Sequence, residues 1–119
     1  MSRVLLIDDD PLEAKLLAAF LHRRFGEAFR LVHVRLLEDG LALLEREAFD
    51  AVLLDNRLPP FSDFRETLPR LRAATRGVEP IIVSSSLRDP CFQRWGAIPE
   101  APVVDKLHLG DAIEEGLLD

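Results

Sequence analysis

Val4-Leu5-Leu6-Ile7-Asp8-Asp9-Asp10-Pro11 sets four apolar residues directly against three carboxylates and a proline. A short apolar run closed by a breaker has the signature of a buried strand. Asp is a strong helix N-cap and Pro suits a first helical position, so the acids read in one way as a charged turn that caps the next helix. Three adjacent acids also repel one another and favour exposure. Their useful property is then the binding of something positive.

The rest of the chain decides between these readings. Its 119 residues fit one domain, 1–119, with a real core. At 48% apolar and 30% charged the sequence is that of a folded domain. A formal net charge of −6 argues against a dedicated nucleic-acid binder, which needs a basic face. No apolar run approaches a membrane span, and Asp8 interrupts the N-terminal run too early for a signal peptide. Cys91 is the single cysteine. It has no internal disulfide partner, fits a reducing cytoplasm, and reads as packing or a helix start rather than as a nucleophile.

Periodicity predicts strands over 4–7, 30–35, 51–54, 80–83 and 102–105. Helices are predicted between them over 11–25, 38–47 and 63–74, with a short one over 89–95 and a last one over 109–118. Residues 56–62 hold Pro59-Pro60 and must form a loop. Regular strand–helix alternation with wholly apolar strands predicts an α/β fold, with a doubly wound parallel sheet covered on both faces. No Gly-rich phosphate loop follows the first strand, which argues against nucleotide binding by that route.

Acid or hydroxyl residues fall just past three predicted strand ends, at Asp8/Asp9, Asp55 and Ser85, and Lys106 falls past a fourth. In an open parallel sheet these ends share the edge where ligands bind. Carboxylates gathered there repel unless a cation joins them, and all-oxygen ligands favour a hard cation such as Mg²⁺ over zinc. Carboxylate, Mg²⁺, hydroxyl and lysine together make a workable phosphoryl site.

These segments resemble the receiver domains of two-component response regulators, the chemotaxis-regulator type. VLLIDDDP resembles the family's first strand and acidic pair, at Asp8 and Asp9. AVLLDNRLP resembles the segment ending in the phosphoacceptor, at Asp55, with Pro59 matching a family proline. PIIVSSS resembles the fourth strand with its switch hydroxyl, at Ser85, and VVDKL the fifth strand with its lysine, at Lys106. The resemblance implies a flavodoxin-like five-stranded sheet in the order 2-1-3-4-5, flanked by five helices. It also implies Mg²⁺ held by Asp8, Asp9, Asp55 and the carbonyl of Arg57. A sensor histidine kinase or phosphotransfer protein would be the phosphohistidine donor, in the cytoplasm. Such a chain is not a conventional enzyme: it phosphorylates itself from the donor and dephosphorylates itself. Arg57 and Leu87 take positions beside the water path. Output, by an effector protein or a homodimer, would use the face spanning 89–118.

The sequence departs from the family in particular places. Asp63 stands where many receivers have glycine, Leu107 where many have proline, and Val103 at the aromatic switch position. A trans Lys106–Leu107 bond is expected, because a cis bond to a non-proline residue costs several kcal/mol. Without a ring to rotate, Ser85 is expected to carry the signal through the backbone of the 86–89 loop. No effector domain follows in the sequence, so the expected output is protein–protein binding or phosphate relay. The alternative is a receiver-like binding module that works without phosphate. A small Mg²⁺-dependent phosphatase is disfavoured because no separate acid–base group or substrate-covering element is evident.

Overall fold

A computed structural model describes residues 2–92 and 101–119. The strands are β1 (Ser2–Ile7), β2 (Phe29–Val34), β3 (Ala51–Asp55), β4 (Ile81–Ser84) and β5 (Val103–Asp105). The α-helices are α1 (Pro11–Phe25), α2 (Leu37–Arg46), α3 (Phe64–Ala74) and α4 (Leu109–Glu114). The strands form one parallel sheet in the order β2-β1-β3-β4-β5, as expected.

The alternation of side chains along a strand explains the two-faced core. Val4 and Leu6 of β1 point to one face and join Leu17 and Leu21 of α1, Leu53 of β3, and Leu109 and Ile113 of α4. Leu5 and Ile7 point to the other and join Leu37 and Leu44 of α2, Val52 and Leu54 of β3, and Leu71 of α3. Continuous apolar strands are the consequence of burial on both faces. A third cluster, Phe64, Leu68, Ile82, Cys91 and Ala101, closes the β4–β5 side. Cys91 is packed there, as its sequence context suggests.

Capping accounts for the helix limits. Asp10 accepts from the amide of Leu12, Pro11 occupies the first turn, and Gly26 ends α1 at φ 64°. Asp63 accepts from the amide of Arg65, while Glu66 reaches back to the amide of Ser62. The two together resemble a capping box. Asp63 sits at φ −166°, an extended conformation open to any residue, so no glycine is required there. Among the described residues the cis peptide bond is Pro59–Pro60, and Lys106–Leu107 is trans.

The last helix needs correction: it ends at Glu114 rather than 118, because Gly116 turns the chain at φ 103°. Of the predicted helix over 89–95, the described residues hold a 3-10 turn at Pro90–Phe92, and positions 93–95 lie outside them. The described residues hold four α-helices and two 3-10 turns. The apolar stripe of α1 is also narrower than its leucines suggest: Leu17 is fully buried, whereas Leu12 and Leu16 are 57% and 43% exposed.

That difference is measurable in chemical denaturation. Leu17→Ala should destabilise the fold by about 2–5 kcal/mol, the range for a leucine deleted from a closed core. Leu16→Ala, one position earlier, should cost within about 0.5 kcal/mol, as surface changes do. Equal losses would contradict the assigned helix face.

Candidate phosphoacceptor and metal site

The site is made by strand ends. Ile7 pairs with Leu54 across β1 and β3, so Asp8 and Asp55 emerge side by side at one sheet edge. Asp55 pairs with Val83, and Ser84 pairs with Asp105, which brings Ser85 and Lys106 to the same edge. The three opening acids have three separate roles. Asp8 is 1% exposed and accepts from the amide of Asp10 at 2.9 Å. Asp9 is exposed. Asp10 caps α1. Asp10 is thus taken by capping, and Asp8 and Asp9 are left for the carboxylate cluster.

Asp8, Asp9 and Asp55 each offer a carboxylate oxygen, all within 4.8 Å of one another. The Lys106 ammonium lies 3.3 Å from Asp8 Oδ2 and 3.3 Å from Asp55 Oδ1. The amide of Arg57 donates to Asp55 Oδ1 at 3.4 Å. Ser85 is exposed, and its hydroxyl makes no hydrogen bond among the described residues. The Arg57 side chain turns away from the carboxylates, donating to Asp89 and to the carbonyl of Ser62.

Burial, and then the Asp8 charge, push the Asp55 carboxyl up to about 6, and Lys106 only partly offsets them. Burial pulls the Lys106 ammonium down, but Asp55, Asp8 and Glu13 outweigh it and leave it raised. One ammonium shared by two buried carboxylates leaves the pocket short of positive charge. A hard divalent cation on oxygen ligands is the complement that this donor set fits.

Three contributors escaped the sequence reading. His33 of β2 donates from Nε2 to the carbonyl of Asp8 at 2.7 Å, steadying the acidic turn from the neighbouring strand. Glu13 adds a carboxyl near Lys106, and burial holds it above the usual range. Asn56 is fully buried, accepting from the amide of Phe64 and donating to Cys91 Sγ. Each owes its role to strand register or loop packing. Only the placement of Asn56 directly after Asp55 was a visible signal.

The sheet order and the helical layers are those of the receiver fold, the class to which solved structures similar to this chain belong. No family model matches the chain. Protein PilH of Pseudomonas aeruginosa is 28% identical over 96 residues, covering 81% of this chain and 77% of that protein. The receiver domain of the sensor histidine kinase PA1611 from the same organism superposes with a TM-score of 0.77 at 21% identity, covering 96% of this chain and 92% of that one. It carries a magnesium ion in its active-site cleft. The response regulator TrrA of Thermotoga maritima, in complex with Mg²⁺ and BeF, gives 0.77 at 22% identity over 98% of this chain and 96% of its own.

A raised carboxyl has a definite sign in stability. Asp55 binds a proton more tightly folded than unfolded, so the fold is favoured below about pH 4 and that contribution is lost as pH rises through about 6. A displacement from 3.8 to about 6 corresponds to up to about 3 kcal/mol. Metal-free Asp55→Asn should therefore melt several degrees above wild type at pH 7.5, and the gap should close as pH falls below 4. A wild type as stable as Asp55→Asn at pH 7.5 would contradict the electrostatic account.

Proposed function

We propose that the chain accepts a phosphoryl group on Asp55 from a phosphohistidine, and that Mg²⁺ held by Asp8, Asp9, Asp55 and the carbonyl of Arg57 is required. The observation that carries this reading is the Lys106 ammonium seated 3.3 Å from both Asp8 and Asp55, with Asp9 close by. Bound magnesium would supply charge neutralisation for the carboxylates and for the transferring oxygens.

The chain's own groups do the rest. The Asp55 oxygen attacks phosphorus, a P–O bond forms and the P–N bond breaks, and its electron pair leaves with the imidazole. Lys106 holds Asp55 in line and meets a phosphoryl oxygen, while Ser85 donates its hydroxyl to another. Water then attacks phosphorus, restores the Asp55 carboxylate and releases orthophosphate. Positioning and charge account for the rate more than acid–base transfer does.

The donor protein has a surface to meet. Leu12 and Leu16, at 57% and 43% exposed, lie one helical turn apart on α1, which starts just after the acidic turn, and Leu107, 84% exposed, follows Lys106 in the chain. Such an apolar rim suits a helical phosphohistidine protein, either a sensor histidine kinase or a phosphotransfer protein. The reduced, packed Cys91 is compatible with the cytoplasm, where such partners work. No helix among the described residues is long and apolar enough to cross a membrane. Output through an effector protein or a second copy would use the face within 89–118.

Acetyl phosphate with Mg²⁺, followed by intact-mass measurement, tests the chemistry. One phosphoryl adduct is expected, absent in Asp55→Asn and absent without the metal. No adduct with several donors would favour the phosphate-independent binding module, to which Val103 and Leu107 point. Leu107→Glu should slow transfer from a phosphohistidine protein more than transfer from acetyl phosphate. Equal slowing would remove Leu107 from the docking surface.

A further inference from the structure

Arg57 lies two residues past Asp55, yet its side chain serves another loop. Its Nε donates to Asp89 Oδ2 at 2.9 Å, Nη2 donates to the same oxygen, and Nη1 donates to the carbonyl of Ser62 at 3.0 Å. The other oxygen of Asp89 accepts from the amide of Cys91 at 3.0 Å, and its carbonyl accepts from the amide of Phe92 at 3.0 Å. Asp89 thus organises the Pro90–Phe92 turn with one side and holds the arginine with the other.

A second set of contacts runs beneath this pair and is of a different kind. Buried Asn56 donates to Cys91 Sγ at 3.4 Å, and the rings of Phe64 and Phe92 stack 5.4 Å apart with planes 2° from parallel. These buried contacts resist exchange, since breaking them would strand a polar group and open the third apolar cluster. The Arg57–Asp89 pair has one mobile member: the Arg57 side chain is 54% exposed, whereas the Asp89 side chain is 11% exposed and fixed by the turn.

A phosphoryl group on Asp55 would bring close to two negative charges and three strong acceptor oxygens to a carboxylate that the Arg57 amide already contacts. Guanidinium bonds to phosphoryl oxygens are among the strong charge-assisted ones. We propose that Arg57 is a two-position arm: it ties Asp89 in the unmodified chain and turns to a phosphoryl oxygen once Asp55 is modified, freeing the outer oxygen of Asp89. The buried Asn56–Cys91 and Phe64–Phe92 contacts keep the turn in place, so the signal is a newly uncompensated carboxylate at Asp89, at the edge of the 89–118 face. A basic group on a partner is what would recognise it. This output needs no aromatic ring, in keeping with Val103 at the fifth-strand position. It rests on the phosphoacceptor reading of Asp55.

Nuclear magnetic resonance with beryllofluoride and Mg²⁺ tests the arm. Amide shifts at Asp55 and Asn56 report whether the probe is bound. The Arg57 Nε–H signal and the Cys91 amide report the arm, in wild type, Arg57→Gln, Asp89→Asn and Ser85→Ala. With the probe bound, the wild-type Arg57 Nε–H should leave its free position, and Cys91 should move toward its place in free Arg57→Gln. In Asp89→Asn the Arg57 Nε–H should already be displaced without the probe, and in Arg57→Gln the Cys91 amide should not move further. The arm is overturned if Asp55 and Asn56 shift while Arg57 and Cys91 stay still. It is equally overturned if the Cys91 movement persists in Arg57→Gln and disappears in Ser85→Ala. Unmoved Asp55 and Asn56 amides would instead reject the phosphoacceptor reading, and the arm with it.

Discussion

The Lys106 ammonium, 3.3 Å from both Asp8 and Asp55, is the interaction on which the functional edge depends. A unit-charge pair at that distance attracts by about 5 kcal/mol at an effective dielectric of 20, and taking the charges out of water returns much of it. One lysine cannot balance two buried acids with Asp9 and Glu13 near them. Burial first, and then the Asp8 charge that Lys106 only partly offsets, hold the Asp55 carboxyl at about 6. A pocket left electrostatically incomplete by its own residues is suited to gain and lose charged groups.

The two-sided core exists to hold those groups in register. Fully buried Val4, Leu5 and Ile7 fix β1 between β2 and β3, so that Asp8 leaves the sheet beside Asp55. A slip of one residue would turn each side chain to the opposite face. The short β5 has less to anchor it, and its register with β4 places Lys106 opposite the acids. Asp105 then caps the amide of Leu107 and sets the turn that follows. Stability in this molecule lies in the apolar layers, and the site is built at their margin, where like charges cost stability.

Much of this was legible in the sequence because apolar strands, capping residues and punctuation agree. Val4 to Pro11 announced a strand, a charged turn and a helix start, and all three are present. Asp8, Asp9, Asp55 and Lys106 were each visible as a polar residue ending an apolar run. The less legible parts depend on chain packing across distance. Leu12 and Leu16 share the spacing of the buried Leu17 and Leu21, and only the placement of the sheet shows that they face outward. The last helix looked longer than it is because Gly116, weak in a helix but tolerated, in fact takes a left-handed turn. Nothing in the order of residues pairs Arg57 with Asp89 or Asn56 with Cys91. Loop-to-loop bonds between distant segments carry no periodic signal.

The central claim is that a divalent cation completes the acidic pocket. Calorimetric titration of the chain with Mg²⁺, compared between wild type and Asp9→Asn, tests it most directly. Asp9 is the exposed member of the carboxylate group, so its replacement leaves the core and the Lys106 pairs untouched. The account predicts weak, saturable binding of one ion in wild type and its near-complete loss in Asp9→Asn. Unchanged Mg²⁺ affinity in Asp9→Asn, or no binding by wild type, would contradict it.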